Sequence, residues 1–499
     1  GLTIVLGSLH MDRGLYNAAI ILHDGQLCGI YRKQRPSDLD SFGETGYFGE
    51  GEKRLLFSQA QVLFGVNIGE EILYPGGIPQ AQALEGGAQL LINISAIPYY
   101  MGKRRALEPI LSTRAMDYGV FLAHCNLVGA QDELVFDGHS LIFNPKGEMV
   151  ARGKQFEEDL VVADLYISEL QRRPPYDPLP IKFRPPYLGP FQRVELLKVE
   201  HIRKREKVEG RIGAPLGEIE EVYNGLVLGV RDYVQKNGFK EVVLGLSGGI
   251  DSSLSAAIAA DALGPENVIG VTMPTRYTSS HSLEDAEKLA QNLRIRLIKI
   301  PIDRAFQMFL DILAPFFEGH PPDATEENLQ PRIRAILLMA LSNKFGWLVL
   351  STGNKSEGAV GYSTLYGDTA GGFAPLKDVP KGLVYQLAHF KNRKEGWDLI
   401  PQRVLEKAPS AELRPNQVDS DSLPPYETLD PILSAHIEGG YSLGEILDLG
   451  FDEGTVRKVM AVVAGSEYKR RQSPPGVKIT RRAFGRDWRL PITNRFRSP

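Results

Sequence analysis

The sequence predicts an α/β protein in two parts. A layered α/β domain over residues 1–170 is joined by a connector, 171–212, to a doubly wound parallel-sheet domain over 213–499. Three observations carry this prediction. Short apolar runs alternate with helix-like stretches on both sides of the connector. Residues 172–192 are dense in proline, which removes backbone donors and disfavours helix, so they read as an extended link. Residues 242–254 read as a buried strand, a Gly-Gly turn and an Ala-rich helix in succession.

In the front part, residues 2–6, 18–22, 61–68, 89–94, 119–124 and 140–143 have the short apolar character of strands, and 80–86 and 105–116 that of helices. The charged run 198–211 interleaves acids with bases and reads as a solvated continuation of the connector. Behind it, 216–237 reads as an amphipathic helix. Residues 268–273, 296–300 and 348–351 supply further parallel strands, and 283–292, 305–314 and 331–345 supply helices. Such a sheet binds ligands at the carboxyl ends of its strands.

Composition bounds the function classes. A chain of 499 residues exceeds one ordinary core. Its 43% hydrophobic content and net charge of −4 describe a soluble globular protein, with no bias toward nucleic acid or membrane. No stretch offers the ~18 consecutive apolar residues of a membrane span. The two cysteines, Cys28 and Cys125, lack metal or C-x-x-C spacing, so the cytoplasm is the expected compartment and both read as small core residues.

The turn at Leu246-Ser247-Gly248-Gly249-Ile250-Asp251-Ser252-Ser253 carries the chemistry. Glycines allow close backbone approach, and the N–H groups and dipole of the following helix favour an anion, with serine hydroxyls as further donors. No lysine follows the glycines, so this is not the G-x-x-x-x-G-K-[ST] loop, nor does it match G-x-G-x-x-G. Asp251 would repel a phosphate unless a divalent cation lay between them, which predicts a nucleotide with Mg2+. Glu357, past a second strand end beyond Thr352, would share that metal with Asp251. Arg332 is suited to bidentate contact with a phosphate or carboxylate, and Pro331 is expected in the first turn of its helix. Lys381 ends a Gly- and Pro-rich loop of functional length and is a candidate phosphate contact.

The Ser-Gly-Gly-x-Asp-Ser loop resembles that of the ATP pyrophosphatases. The half from about residue 216 onward resembles the synthetase domain of the glutamine-dependent NAD+ synthetases. That likeness rests on Lys407-Ala408-Pro409-Ser410-Ala411-Glu412-Leu413, Asp421-Ser422-Leu423-Pro424-Pro425-Tyr426 and Ser466-Glu467-Tyr468-Lys469-Arg470-Arg471-Gln472, in the family's order. The resemblance implies that ATP adenylates the nicotinate carboxylate of deamido-NAD+ and that ammonia then displaces AMP. By carry-over, residues 246–253 with Thr352, Lys381 and Ser410 contact ATP. Asn328, Arg332, Glu357, Tyr362 and Lys469 lie at the deamido-NAD+ site. A large homo-oligomer is also implied.

The front half resembles the nitrilase-like amidase domain of the same family. The matching stretches include Leu15-Tyr16-Asn17-Ala18-Ala19, Tyr31-Arg32-Lys33-Gln34-Arg35, Leu91-Ile92-Asn93-Ile94-Ser95-Ala96 and Asp132-Glu133-Leu134-Val135-Phe136-Asp137-Gly138. A Glu, a Lys and a Cys hydrolyse glutamine in that domain. Lys33 matches the Lys, but Gly69 stands at the position of the Cys, in Ile68-Gly69-Glu70-Glu71. The Glu belongs before the segment matching residues 1–7. The expectation is a degenerate or truncated domain, with Lys33 a non-functional remnant and free ammonia replacing glutamine. The competing readings are another amide-forming ATP pyrophosphatase and a scaffold with two decayed domains; the intact set of Asp251, Glu357, Lys381 and Lys469 favours the synthetase.

Overall fold

The computed structural model describes residues 1–38, 43–172, 190–196, 206–415 and 417–493. The chain divides into two compact units, Gly1–Gly129 with Phe136–Leu216, and Ala130–Val135 with Gly217–Pro499. Most of the proline-dense stretch and the front of the charged run lie outside the described residues. Among the described residues, no helix is long and apolar enough to cross a membrane.

The first unit is layered. Strands β1 (Thr3–Met11), β2 (Leu15–His23) and β3 (Gln26–Arg32) form an antiparallel sheet. A second, mixed sheet is built from β4 (Leu55–Gln59), β5 (Val62–Ile68), β6 (Leu90–Ser95), β7 (Phe121–Asn126), β10 (Leu141–Phe143), β11 (Met149–Arg152) and β12 (Gln192–Glu195), in the order β11-β10-β7-β6-β5-β4-β12. The remaining strands, β8 (Val128–Gln131) and β9 (Leu134–Asp137), pair as a hairpin. Strand β12 was read from sequence as connector; it pairs in parallel with β4, since an extended Pro-poor tetrapeptide is equally suited to a sheet edge.

Alternation on each strand makes two apolar faces. Ala19, Ile21 and Tyr31 meet Phe57, Phe64, Val66 and Ile68 between the sheets. On the other face Leu91 and Leu122 pack with Leu107 and Leu111 of α2 (Lys103–Tyr118), which lies beside α1 (Ile78–Leu84). Cys28 is half-buried and Cys125 is exposed, so the expectation of two core cysteines is corrected. Cys125 follows His124 on β7, and the period of two that buries His124 turns the next side chain outward.

Asn67, Asn93 and His124 lie at one register across β5, β6 and β7. His124 donates from Nδ1 to Asn93 Oδ1 at 2.6 Å, and its Nε2 has no hydrogen-bond partner among the described residues. Burial, then the Lys103 and His139 charges, push its pKa down to about 3. The unfolded chain, near pH 6.5 for this group, therefore binds the proton that the fold refuses. Stability should fall by about 1.4 kcal/mol per pH unit as the pH drops below about 6.5 toward 3. Denaturant melts at pH 7.5, 6.5 and 5.5 test this; a His124→Gln variant as acid-sensitive as the parent would refute it.

The second unit contains a parallel sheet of β13 (Val242–Gly245), β14 (Val268–Thr272), β15 (Arg296–Lys299) and β16 (Leu348–Leu350), ordered β15-β14-β13-β16. Helices α3 (Glu218–Lys236) and α4 (Ile250–Leu263) pack together, as do α6 (Asp303–Leu313) and α7 (Ala324–Phe345), with α5 (Ser280–Leu293) beside α4 and β14. Helix α4 is buried over most of its surface because alanines at 256, 257, 259, 260 and 262 let its neighbours approach closely. On one face of the sheet Val243, Ile269, Val271 and Val349 pack with Phe306, Ile333 and Leu338.

The start of α7 departs from expectation. Asp323 caps it, accepting from the Thr325 N–H at 2.7 Å, while Glu326 accepts from the Asp323 N–H at 2.8 Å. This capping box starts the helix at Ala324, so Pro331 stands inside it rather than in its first turn. The Asp-x-x-Glu signal precedes the proline and outweighs it.

Candidate active site

In the order β15-β14-β13-β16, the chain leaves β13 for β14 and β15 on one side and then crosses from β15 to β16 on the other, which makes the carboxyl ends of β13 and β16 the switch point. The loop after β13 is anchored by Leu246, whose N–H donates to the Val271 carbonyl at 2.9 Å. Gly248 has φ +75°, and a Cβ there would lie 2.2 Å from the Ser282 carbonyl oxygen. Only glycine fits. Gly249 is the N-cap of α4, whose first residues are Ile250 and Asp251.

The serines divide their tasks. The Ser247 hydroxyl accepts from the Gly249 N–H at 3.2 Å and stands 3.1 Å from that of Ser252. Ser252 and Ser253 donate to the Gly249 carbonyl at 3.0 and 2.8 Å. Ser253 is fully buried, so its hydroxyl closes the first helical turn instead of facing a ligand as the sequence suggested.

Past β16, Thr352 precedes α8 (Lys355–Val360), which Asn354 caps by accepting from the Glu357 N–H at 2.9 Å. Asn354 Nδ2 donates to Asp251 Oδ1 at 2.9 Å. Lys381, the first residue of α9 (Lys381–Glu395), completes the cluster: its Nζ reaches Asp251 Oδ2 at 2.5 Å and Glu357 Oε1 at 3.2 Å. Burial alone would lower the Lys381 pKa, but the two carboxylates outweigh it and hold the ammonium charged. Burial raises the Glu357 pKa against the pull of Lys381, with Asp251 and Asp419 adding to the rise.

Two carboxylate oxygens from different strand ends thus converge on one point. Among the described residues, no group of three or more His, Cys, Asp or Glu is poised to cage a metal. A pair of carboxylates completed by phosphate oxygens is the donor set magnesium uses with nucleotides.

Two cavities meet here. One of about 160 Å³ is lined by Ser247, Asp251, Thr352, Glu357, Lys381 and Ser410. The Ser410 hydroxyl donates to the Gln417 carbonyl and accepts from the Glu412 N–H, so it also shapes its own loop. The other, of about 470 Å³, takes Leu246, Asn328, Tyr362 and Lys469 into its wall. Asn328 accepts from the Thr364 hydroxyl at 2.7 Å, and Lys469 donates to the Gly361 and Ser363 carbonyls at 2.7 Å each.

Arg332 donates to the Leu365 carbonyl at 3.2 Å, while Arg334 lines the larger cavity and holds the Met273 carbonyl at 3.1 Å. Burial lowers the Arg334 pKa to about 10. Asp368, whose pKa burial raises to about 6, lines both cavities. Sequence reasoning missed Arg334, Asp368 and Asn354. The two arginines sit two residues apart on a helix, so they point about 200° apart, and only the packing of α7 decides which faces inward.

In the first unit, Lys33 Nζ is 2.5 Å from Glu44 Oε2 and 2.8 Å from Glu70 Oε2. Burial works against its charge, but Glu70 and Glu44 prevail and raise its pKa. Gly69 has φ +56°, and a Cβ added to it would lie 3.4 Å from Lys33 Nζ. The fold therefore brings the lysine and the glycine together. Glu44 was not foreseen: it opens a single 3-10 turn, Glu44–Gly46, eleven residues after Lys33, with no periodicity to mark it.

The sequence matches the NAD synthase family over residues 222–473 and the carbon-nitrogen hydrolase family over residues 1–174. It is 48% identical to the glutamine-dependent NAD(+) synthetase of Thermotoga maritima, in a match covering 100% of this chain and 86% of that protein. Identity to the same enzyme of Aquifex aeolicus is 46%, over 99% of this chain and 86% of the relative. The glutamine-dependent NAD+ synthetase of Acinetobacter baumannii, solved with ADP, superposes with a TM-score of 0.71 at 38% identity, over 100% of this chain and 85% of that one.

Proposed function

The chain belongs to the glutamine-dependent NAD(+) synthetase family, and from that premise we propose that its second unit converts deamido-NAD+ to NAD+ with ATP. The observation that carries this reading is the convergence of Asp251, Glu357 and Lys381 where two cavities meet at the sheet's switch point. In the proposed reaction the nicotinate carboxylate attacks the α-phosphorus of ATP and pyrophosphate leaves. Ammonia then attacks the acyl carbon, and AMP leaves.

The loop from Leu246 to Ser252 would cradle the phosphates through backbone N–H groups at the start of α4. Lys381 would transfer part of its interaction from the carboxylates to phosphate oxygens. Asp251 and Glu357 would hold Mg2+, which when bound supplies positive charge against the polyphosphate. The larger cavity would take the dinucleotide, with Asn328, Tyr362 and Lys469 on its wall and Arg332 behind it.

The nitrogen source of this chain is proposed to be free ammonia. Gly69 has no side chain, so no thioester to a glutamyl group forms at that position. Lys33 retains its carboxylate partners but has no adjacent nucleophile to serve. Protein, Mg2+-ATP and deamido-NAD+ should yield NAD+, AMP and pyrophosphate with ammonium chloride, and no NAD+ with glutamine in ammonia-free buffer. Turnover with glutamine would overturn the ammonia reading. Absence of product with either donor would overturn the synthetase reading for this chain.

A further inference from the structure

Helix α9 starts at Lys381 with Pro380 at its N-cap, and Pro380 offers no side-chain acceptor. The first N–H groups of a helix need partners from elsewhere. Here two other helices supply them. The Lys381 N–H donates to the Ser356 hydroxyl oxygen at 2.9 Å, and the Gly382 N–H donates to Asp430 Oδ2 at 2.8 Å. The Ser356 hydroxyl in turn donates to Asp430 Oδ1. Ser356 is fully buried on α8, beside Glu357, and Asp430 lies on the helix Tyr426–Leu433.

One carboxylate therefore gathers the start of α9 and the first turn of α8. These are the two helix starts that carry Lys381 and Glu357. The Lys355 N–H also donates to the Val379 carbonyl at 2.9 Å, which lays the two segments side by side. A negative charge is favourable at a helix start. Burial raises the Asp430 pKa, while the Ser356 hydroxyl and the Gly382 N–H pull it down.

Lysine carries its charge on a flexible four-carbon stem. In this structure Asp251 and Glu357 hold the ammonium, but a bound polyphosphate would draw part of that interaction away. The main-chain origin of Lys381 must then be fixed by groups that keep their partners through the reaction. Ser356 and Asp430 are such groups, since their bonds go to one another and to backbone N–H groups.

We propose that Asp430, acting through Ser356, is a positioning residue for adenylation that sets the origin of Lys381 against Glu357. This rests on the synthetase reading above. The test measures ATP–pyrophosphate exchange with deamido-NAD+ in four full-length chains: the parent, Ser356→Ala, Lys381→Met and the double variant, each below its melting temperature. Displacing a reacting group by about 1 Å can cost about 10²-fold. Ser356→Ala is expected to lower kcat for exchange about ten- to hundredfold, with KM for ATP within about threefold of the parent. In the Lys381→Met background the same change should cost less than about twofold, because the group it positions is gone.

Thermal melts should show the lost hydrogen bond in both backgrounds, so stability and activity part ways only if Ser356 works through Lys381. Asp430→Asn, which keeps an acceptor for the Gly382 N–H, should be slowed less than Asp430→Ala, and it takes the place of Ser356→Ala in the cycle should that variant fail to fold. An unchanged kcat in Ser356→Ala, or the full loss repeated in the Lys381→Met background, would overturn the proposal. A parent chain without exchange would overturn the synthetase reading, and the role of Asp430 with it.

Discussion

Lys381→Met is expected to slow ATP–pyrophosphate exchange by about 10²–10³-fold, the usual effect of deleting one preorganised charge from a polyphosphate site. The geometry also predicts a loss of stability. Lys381 is 2% exposed and touches Asp251 and Glu357, so removing its charge leaves two carboxylates facing each other. Breaking a buried pair of this kind costs about 3–5 kcal/mol. Magnesium should therefore raise the melting temperature of the variant more than that of the parent, because it replaces the missing positive charge between the same oxygens. Arginine should not rescue activity: its planar fork needs more room than two oxygens 2.5 and 3.2 Å from one nitrogen leave. Exchange near the parental rate in Lys381→Met would mean that the cluster does not bear on adenylation.

Gly248→Ala is expected to disable the phosphate loop without touching a charged group. The left-handed backbone alone costs a non-glycine residue about 1–2 kcal/mol. The added methyl would also meet the Ser282 backbone at 2.2 Å, and because both partners are main chain, relief requires the start of α5 to move away from the loop. Gly346→Ala is the matched control, with the same φ of +75° and no atom within 4 Å of its Cβ. The control should lose only the conformational term and keep its nucleotide affinity. Gly248→Ala should lose more stability and weaken ATP binding by at least about tenfold, read by calorimetry and thermal melts. Equal effects at the two positions would remove the steric part of the argument.

Much of the synthetase unit was legible because its signals are local. The apolar run at 242–244 with its two valines, the Gly-Gly turn and the alanines of α4 each declare their conformation within a few residues, and the later strands announce themselves the same way. The amidase-like unit was less legible. Strands β3, β4, β8, β9, β11 and β12 are short or polar in places, and β12 joins its sheet only through β4, far away in sequence.

At the candidate sites the same division holds. Residue chemistry marked Asp251, Glu357 and Lys381 separately, and the substitution at Gly69 is fully visible in one dimension. Their meeting point is not, since Asp251 and Lys381 are 130 residues apart. Nor could sequence show that Asn354 ties Asp251 to the cap of α8, that Arg334 rather than Arg332 faces the cavity, or that Ser253 spends its hydroxyl on Gly249.

The sequence by itself determined which groups are present: a phosphate loop, carboxylates at two strand ends, a lysine, and a glycine in place of a nucleophile. Periodicity and residue chemistry are local properties, so they survive in one dimension. Tertiary structure alone decided which of these groups share a cavity and which are used up by their own backbone. Those outcomes depend on the packing of strands and helices brought together from distant parts of the chain.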